Sequence, residues 1–232
     1  MIELVKRYGD DPVMVFETWL AKANKEERNE YVATVKYDGW RRFLYWTGVL
    51  TLLSKSRGAG DEARRALPDS LMDQVKALCA EMPEGMALDM EWMGPRGGFE
   101  QELVVHDLLY SAGMWMGHLG YEKRHPLIVM LLKAAHDKGI APNIRAVEAW
   151  RGVDLEELYE KQRGDPRSEG LVLKRVGVPL VQTDSFKICN KVLDNWNYVK
   201  IKYRDVSAAD MARRRLCVSG EGFANLIFSL WT

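Results

Sequence analysis

The chain has 232 residues, 47% of them hydrophobic, enough for one large core or one domain with a small appendage. Its 33 basic and 33 acidic residues cancel, so a nucleic acid would have to meet a local basic surface, and global charge selects no partner. The three cysteines, Cys79, Cys189 and Cys217, form no C-x-x-C pair, which argues against a structural zinc site or disulfide framework and for a reducing compartment.

In chain order, the start "MIELVKRYGDDP" has no apolar leader, and nowhere does an apolar run approach the roughly 18 residues of a membrane span. The expectation is an intracellular, cytoplasmic protein with no membrane partner. No internal repeat or low-complexity segment interrupts the chain, and its polarity pattern predicts an α+β fold. A helix is expected over Asp11 to Lys25. Strands are expected at Tyr31 to Tyr37, Arg41 to Trp46 and Val49 to Ser54, the last two joined at Thr47-Gly48, as an antiparallel meander.

Asp61 to Glu81 has helical spacing at Ala66, Leu67, Leu71, Val75 and Leu78, with Pro68 either breaking the stretch or starting a helix. "GMALDMEWM" and "QELVVHDLLY" read as short strands on either side of the glycine-rich link "GPRGGFE". Helices follow at Leu127 to Lys138 and Leu155 to Arg163, then strands at "EGLVLKRV" and "NYVKIKY". Composition changes after Lys202. This predicts a boundary near residue 204, separating 1–204 from a short segment, 205–232, that has its own Gly-x-Gly turn.

The stretch "VATVKYDGWRRFLYW" crowds Lys36, Asp38, Arg41 and Arg42 onto strand-like sequence, in the pattern Lys-x-Asp-Gly-x-Arg. One explanation is a hairpin turning at Asp38-Gly39, with Lys36 and Arg41 as solvated strand ends. The other is an amine nucleophile. A free lysine titrates near about 10.4, so attack at neutral pH needs burial or neighbouring cations to lower that value. Arg41, Arg42 and two later lysines are such cations.

This stretch resembles motif I of the covalent nucleotidyltransferases, the superfamily of ATP-dependent DNA ligases, RNA ligases and mRNA capping enzymes. Later stretches resemble its other motifs in order. "ALDMEW" is similar to motif III, with Glu91 at the glutamate and Met90 where glycine is usual. "VVHDLLY" is similar to motif IIIa, with His106 where Phe or Tyr stacks on the purine; an imidazole stacks with less area, and a structural histidine is the alternative. "SEGLVLK" resembles motif IV, with Glu169 beside a glycine that leaves room for a metal and phosphates, and Lys174 at its end. "NYVKIKY" resembles motif V, whose Lys200 and Lys202 share one strand face and can reach one phosphate. "LLSKSRGAG" resembles motif Ia, its basic position falling on Lys55 or Arg57, of which Arg57 is preferred because it directly precedes a glycine. Each stretch alone also has a plain structural reading, a solvated strand or turn, or for "SEGLVLK" an ordinary buried strand after a turn; their order carries the weight. The resemblance covers about residues 30–204.

The resemblance implies that Lys36 attacks the α-phosphorus of ATP, while Lys200 and Lys202 steady charge on the α-phosphate oxygens. It implies that Asp38 orients the reacting groups and that Arg41, Arg57, His106 and Lys174 contact the nucleotide. Glu169 would hold Mg²⁺, and Glu91 would hold Mg²⁺ or the ribose hydroxyls. The implied fold is an α+β ligase-type nucleotidyltransferase (adenylation) domain of antiparallel sheets flanked by helices, then the start of an OB fold.

NAD⁺-dependent ligases carry an extra N-terminal domain and a four-cysteine zinc module, for which this chain has little room before Lys36 and too few cysteines. ATP is therefore preferred, and GTP, which capping enzymes use with the same lysine, stays open. "LDMEWMGPRGGFE" and the tail resemble small phage and bacterial ATP-dependent DNA ligases. The implied activity is sealing of nicked double-stranded DNA by a monomer. An RNA ligase or RNA guanylyltransferase would share every residue named, and a catalytically weak nick-binding module would keep the fold alone. An OB barrel needs five strands, so residues 205–232 are expected to hold only its beginning, or to pack as something else, without the basic motif VI.

Overall fold

Period-two alternation along the strands gives each of two sheets a helix-covered face and a face turned toward the other sheet. The computed structural model describes residues 13–15, 28–54, 66–94, 100–180 and 198–203. The first sheet has five strands in the order β1 (Val13–Val15), β11 (Tyr198–Lys202), β10 (Ser168–Arg175), β2 (Tyr31–Tyr37) and β9 (Ala149–Arg151). The second runs β4 (Leu50–Ser54), β3 (Trp40–Trp46), β5 (Met86–Trp92), β6 (Leu103–Ser111) and β7 (Met114–Trp115), with β8 (Ile144–Ala146) parallel to β6. β1 also runs parallel to its neighbour β11, and the other pairings are antiparallel.

Two helices cover the second sheet. Leu71, Val75 and Leu78 of α1 (Asp69–Glu81) and Ile128 and Leu132 of α2 (Tyr121–Asp137) belong to one core with Leu44, Leu88, Met90, Leu103 and Val105. The third helix, α3 (Leu155–Arg163), lays Leu155, Leu158 and Tyr159 on Ala33, Leu171, Leu173, Val199 and Ile201 of the first sheet. Asp154 caps α3, accepting the Glu156 and Glu157 amides at 2.8 and 3.1 Å; such a cap contributes about 1 kcal/mol. The uncovered faces then meet, and Phe43, Tyr45 and Ala87 pack with Tyr198.

The α+β class, with mainly antiparallel sheets and flanking helices, agrees with the sequence. The meander does not: β3 and β4 pair, but β2 belongs to the other sheet. Asp38-Gly39 is therefore a crossing between sheets and not a hairpin turn. The Asp38 amide donates to the Arg167 carbonyl at 3.1 Å and the Gly39 amide to Glu91 Oε1 at 3.1 Å, so each residue is held by a different sheet or its approach.

The expected helix over Asp11 to Lys25 is overturned at Val13–Val15, which is strand β1 along the edge of β11. Two β-branched residues in three suit that edge. α2 begins at Tyr121, not Leu127, and runs through Pro126. That proline removes one bond of the helical ladder, and burial of Tyr121 and Arg124 on one side and Ile128 on the other holds the turn around it.

Pro68 starts a helix, standing at the N-cap of α1. The three-residue strands β8 and β9 have no counterpart in the sequence reading. The rest of the Asp11 to Lys25 stretch, Lys55, Arg57, residues 95–99, the boundary near 204 and the tail lie outside the described residues. Among those described, no helix is long and apolar enough to cross a membrane.

Candidate active site

Three strands of the first sheet bring two amines to one carboxylate. Lys36 on β2 is opposite Gly170 on β10, which is opposite Lys202 on β11. A bulge between Ser168 and Gly170 aims Glu169 to the same side as these lysines. Its carboxylate pairs with Lys36 Nζ through Oε1 and with Lys202 Nζ through Oε2 at 3.0 Å. Gly170 has φ of +148°, and a Cβ there would lie 1.7 Å from the Ile201 carbonyl oxygen. Only glycine permits both the backbone and the close strand approach. Ser168 Oγ, 3.0 Å from the Tyr203 hydroxyl and accepting from the Gly170 amide at 3.3 Å, pins the bulge. Burial raises the Glu169 pKa, but the Lys36 and Lys202 charges outweigh it and the net shift is downward.

The second sheet supplies the opposite wall. Arg41 on β3 faces Glu91 on β5 across the ladder, and its guanidinium grips Asp89 at 2.8 and 2.6 Å. Glu91 Oε2 lies 4.0 Å from His106 Nε2, while Oε1 takes the Gly39 amide. A Cβ on Gly39 would stand 2.6 Å from both Glu91 Cγ and the Trp92 carbonyl oxygen, so the Asp-Gly pair is selected here by lack of space. Burial pushes the Glu91 carboxyl up to about 7 against the pull of Arg41. Burial, then the charges of Lys174, Arg41 and Lys36, hold His106 well below the usual imidazole range, so its ring is neutral at pH 7. The Lys36 charge is felt at both Glu91 and His106. Both groups of the second wall thus lie within electrostatic reach of Lys36.

The remaining candidates divide. Lys200 shares the Lys202 face of β11, opposite Val172. Asp38 is held by its backbone to Arg167. Lys174 lies deeper, 4% exposed, with its ammonium 3.4 Å from the Tyr121 ring centroid and donating to the His106 carbonyl at 3.4 Å. It stands on the same face of β10 as Val172, which is opposite Lys200, and ties β10 to the His106 strand through that carbonyl. Arg57 falls outside the described residues. Arg42 is a core residue, its guanidinium 5.7 and 5.1 Å from the Trp40 and Trp92 rings and bonded to Ser54 Oγ at 3.0 Å.

Asp89 was not among the sequence candidates, although period-two spacing from Glu91 puts it on the same face. The buried Arg124–Asp107 pair left no local signal, because its partners lie on different elements.

Among the described residues no three His, Cys, Asp or Glu side chains converge as a metal cluster. Mg²⁺ in phosphoryl-transfer sites needs only one or two carboxylates beside substrate phosphates. Glu169, a hard oxygen donor kept ionised by its lysines, fits that requirement. Glu91, bonded to an amide and titrating near 7, suits hydroxyl groups better.

No protein-family model and no curated protein sequence matches the chain. Solved structures do match. A mycobacterial DNA ligase D complexed with ATP and MES aligns with TM-score 0.53 and 18% identity, over 83% of this chain and 60% of that one. A Lig E DNA ligase aligns with TM-score 0.50 and 16% identity, over 83% and 68%. The chain shares its fold with these DNA ligase structures. The ligase domain of M. tuberculosis LigD gives TM-score 0.50 at 19% identity, over 74% of this chain and 53% of that one. The chain thus spans 53% to 68% of the length of these ligase structures. In this fold a polyanion entering between the sheets would meet amines on one wall and hydrogen-bonding groups on the other.

Proposed function

We propose that the chain is an ATP-dependent DNA ligase that seals nicks through a lysyl adenylate at Lys36. The observation that supports this most is the convergence of Lys36 and Lys202 on Glu169 across Gly170, opposite Glu91 and His106, in a fold shared with DNA ligases.

Lys36 Nζ, attacking as the free amine, forms a P–N bond to the α-phosphorus of ATP as the α–β P–O bond breaks and pyrophosphate leaves. An oxygen of the nick's 5′-phosphate then displaces the lysine, which regains its proton, and carries the AMP. Finally the 3′-hydroxyl attacks that 5′-phosphorus, losing its proton as AMP departs and the strand closes. Each transfer occurs at phosphorus, so positioning and charge stabilisation dominate the catalysis.

Lys202 and Lys200 face the α-phosphate oxygens and stabilise the charge that grows there. The neutral His106 ring offers its face to the adenine, and Glu91 accepts from the ribose hydroxyls. Arg41, already on Asp89, fixes the wall behind them. Glu169 is the residue that would hold Mg²⁺, an ion that neutralises phosphate charge when bound. In this reading the protein works inside the cell as a monomer on nicked duplex DNA.

The test is sealing of a 5′-phosphorylated nicked duplex with ATP or GTP and Mg²⁺, beside the matching RNA-containing nicks. ATP-dependent closure of the DNA nick is expected. Preference for RNA would make the chain an RNA ligase. Nick binding with no closure, even of a pre-adenylated nick, would leave only a binding module.

A further inference from the structure

Three strand ends carry the groups assigned to the first transfer: Lys36 near the end of β2, Glu169 near the start of β10 and Glu91 near the end of β5. All three are tied to one residue outside every motif named above. Glu102 holds Arg145 through both carboxylate oxygens, at 2.8 and 3.0 Å. Arg145 in turn donates to the Tyr37 hydroxyl at 3.1 Å, one residue from Lys36.

Glu102 Oε1 also accepts from Arg167 at 3.4 Å. Arg167 lies two residues before Glu169, and its carbonyl takes the Asp38 amide at 3.1 Å. The Glu102 carbonyl accepts the Met93 amide at 3.0 Å, two residues after Glu91. Arg145 and Arg167 are thus committed to carboxylates, Arg167 also to Asp165 at 3.1 Å, and act as struts between backbone segments. The Glu102 side chain is only 17% exposed, so this is no isolated surface ion pair of the kind that contributes little.

We infer that Glu102 is a positioning residue for nucleotidyl transfer, clamping together the strand ends that carry Lys36, Glu169 and Glu91. The inference rests on the lysyl-adenylate reading of the site. Fork-to-carboxylate bonds fix direction as well as distance. Without the carboxylate, Arg145 and Arg167 lose their common anchor, and β2 can shift against β10 by up to about 1 Å.

Glu102→Gln keeps the shape and removes the charge. In single turnover with saturating ATP, it should slow formation of the AMP adduct about 10- to 100-fold, the scale of a misplacement of about 1 Å. ATP affinity should stay within about threefold, the signature of an interaction that matters to the transition state rather than to binding. Arg145→Lys, which keeps the charge but not the fork, should slow the same step by less, and it carries the test if Glu102→Gln does not fold. An unchanged adduct rate would overturn the clamp, and so would equal losses of rate, ATP affinity and melting temperature.

A nucleotide-free readout separates the clamp from the reading beneath it. Limited acetylation mapped by peptide mass should show Lys36 labelling altered in Glu102→Gln, relative to the exposed Lys161 on α3. If the wild type forms no adduct, the lysyl-adenylate reading fails. The clamp is then judged by labelling alone: a changed Lys36 to Lys161 ratio supports it and an unchanged ratio overturns it.

Discussion

Two ion-paired clusters lie at opposite ends of β11 and are built differently. At Tyr198, Arg124 and Asp107 are both 0% exposed, joined fork to carboxylate at 2.8 Å, with the Tyr198 hydroxyl 3.1 Å away. At Lys202, the Lys36–Glu169 pair keeps 16% and 19% of its side chains exposed. A sealed pair cannot exchange partners, because separating it leaves a desolvated charge behind. In the proposed reaction the pair near solvent opens when a phosphate enters. Burial thus separates the charges that hold the fold from the charges available for chemistry.

The largest effect should come from Lys36→Ala. ATP-dependent nick sealing should vanish while closure of a pre-adenylated nick survives, since the first two transfers run through the amine and the third does not. Loss of both would make Lys36 structural and erase the contrast with Arg124.

Arg124→Leu leaves the buried Asp107 charge without its guanidinium partner and should cost about 3–5 kcal/mol in denaturant unfolding, with normal adduct formation per folded molecule. A cost under about 1 kcal/mol, the range of an exposed pair, would show that this cluster is not sealed.

Lys202→Ala removes the more exposed partner of Glu169. Adduct formation should slow about 100-fold, as for loss of one charge-stabilising donor, with the melting temperature nearly unchanged. A fall in melting temperature without a fall in rate would move Lys202 into the structural group.

The smallest effect is a pH slope. Glu91 is raised from 4.5 to about 7, so the folded state binds more protons than the unfolded state across that window. Its contribution to stability is full below about pH 4.5 and is lost as pH rises through about 7. Glu169, shifted downward, has the opposite sign: its contribution is present above its unfolded value and is lost as pH falls through the folded one. Glu91→Gln should flatten the unfolding free energy between pH 5 and 7, whereas an unchanged slope would assign it to other groups.

The strands at Tyr31–Tyr37 and Met86–Trp92 and the helix at Leu155–Arg163 were legible because alternation or helical spacing declares them locally. The division into two sheets was not. Asp38-Gly39 has the composition of a hairpin turn, and what carries it across the gap is Arg167 and Glu91, far away in sequence. Pro126 hid the first turns of α2, and β1, β8 and β9 are too short to show a period.

Within the site, Lys36, Glu91, Glu169, Lys200 and Lys202 stood out through motif resemblance, and Lys36, Glu169 and Lys202 are in mutual contact through the carboxylate. Asp89, Glu102 and Arg145 did not stand out. Their part depends on which distant strand end each reaches, and residue type alone does not encode that.

The most direct test is intact-mass analysis after incubation with ATP and Mg²⁺, followed by peptide mapping. A gain of one AMP located on Lys36, absent from Lys36→Ala, is the predicted result. No adduct, or an adduct on another residue, would contradict the account.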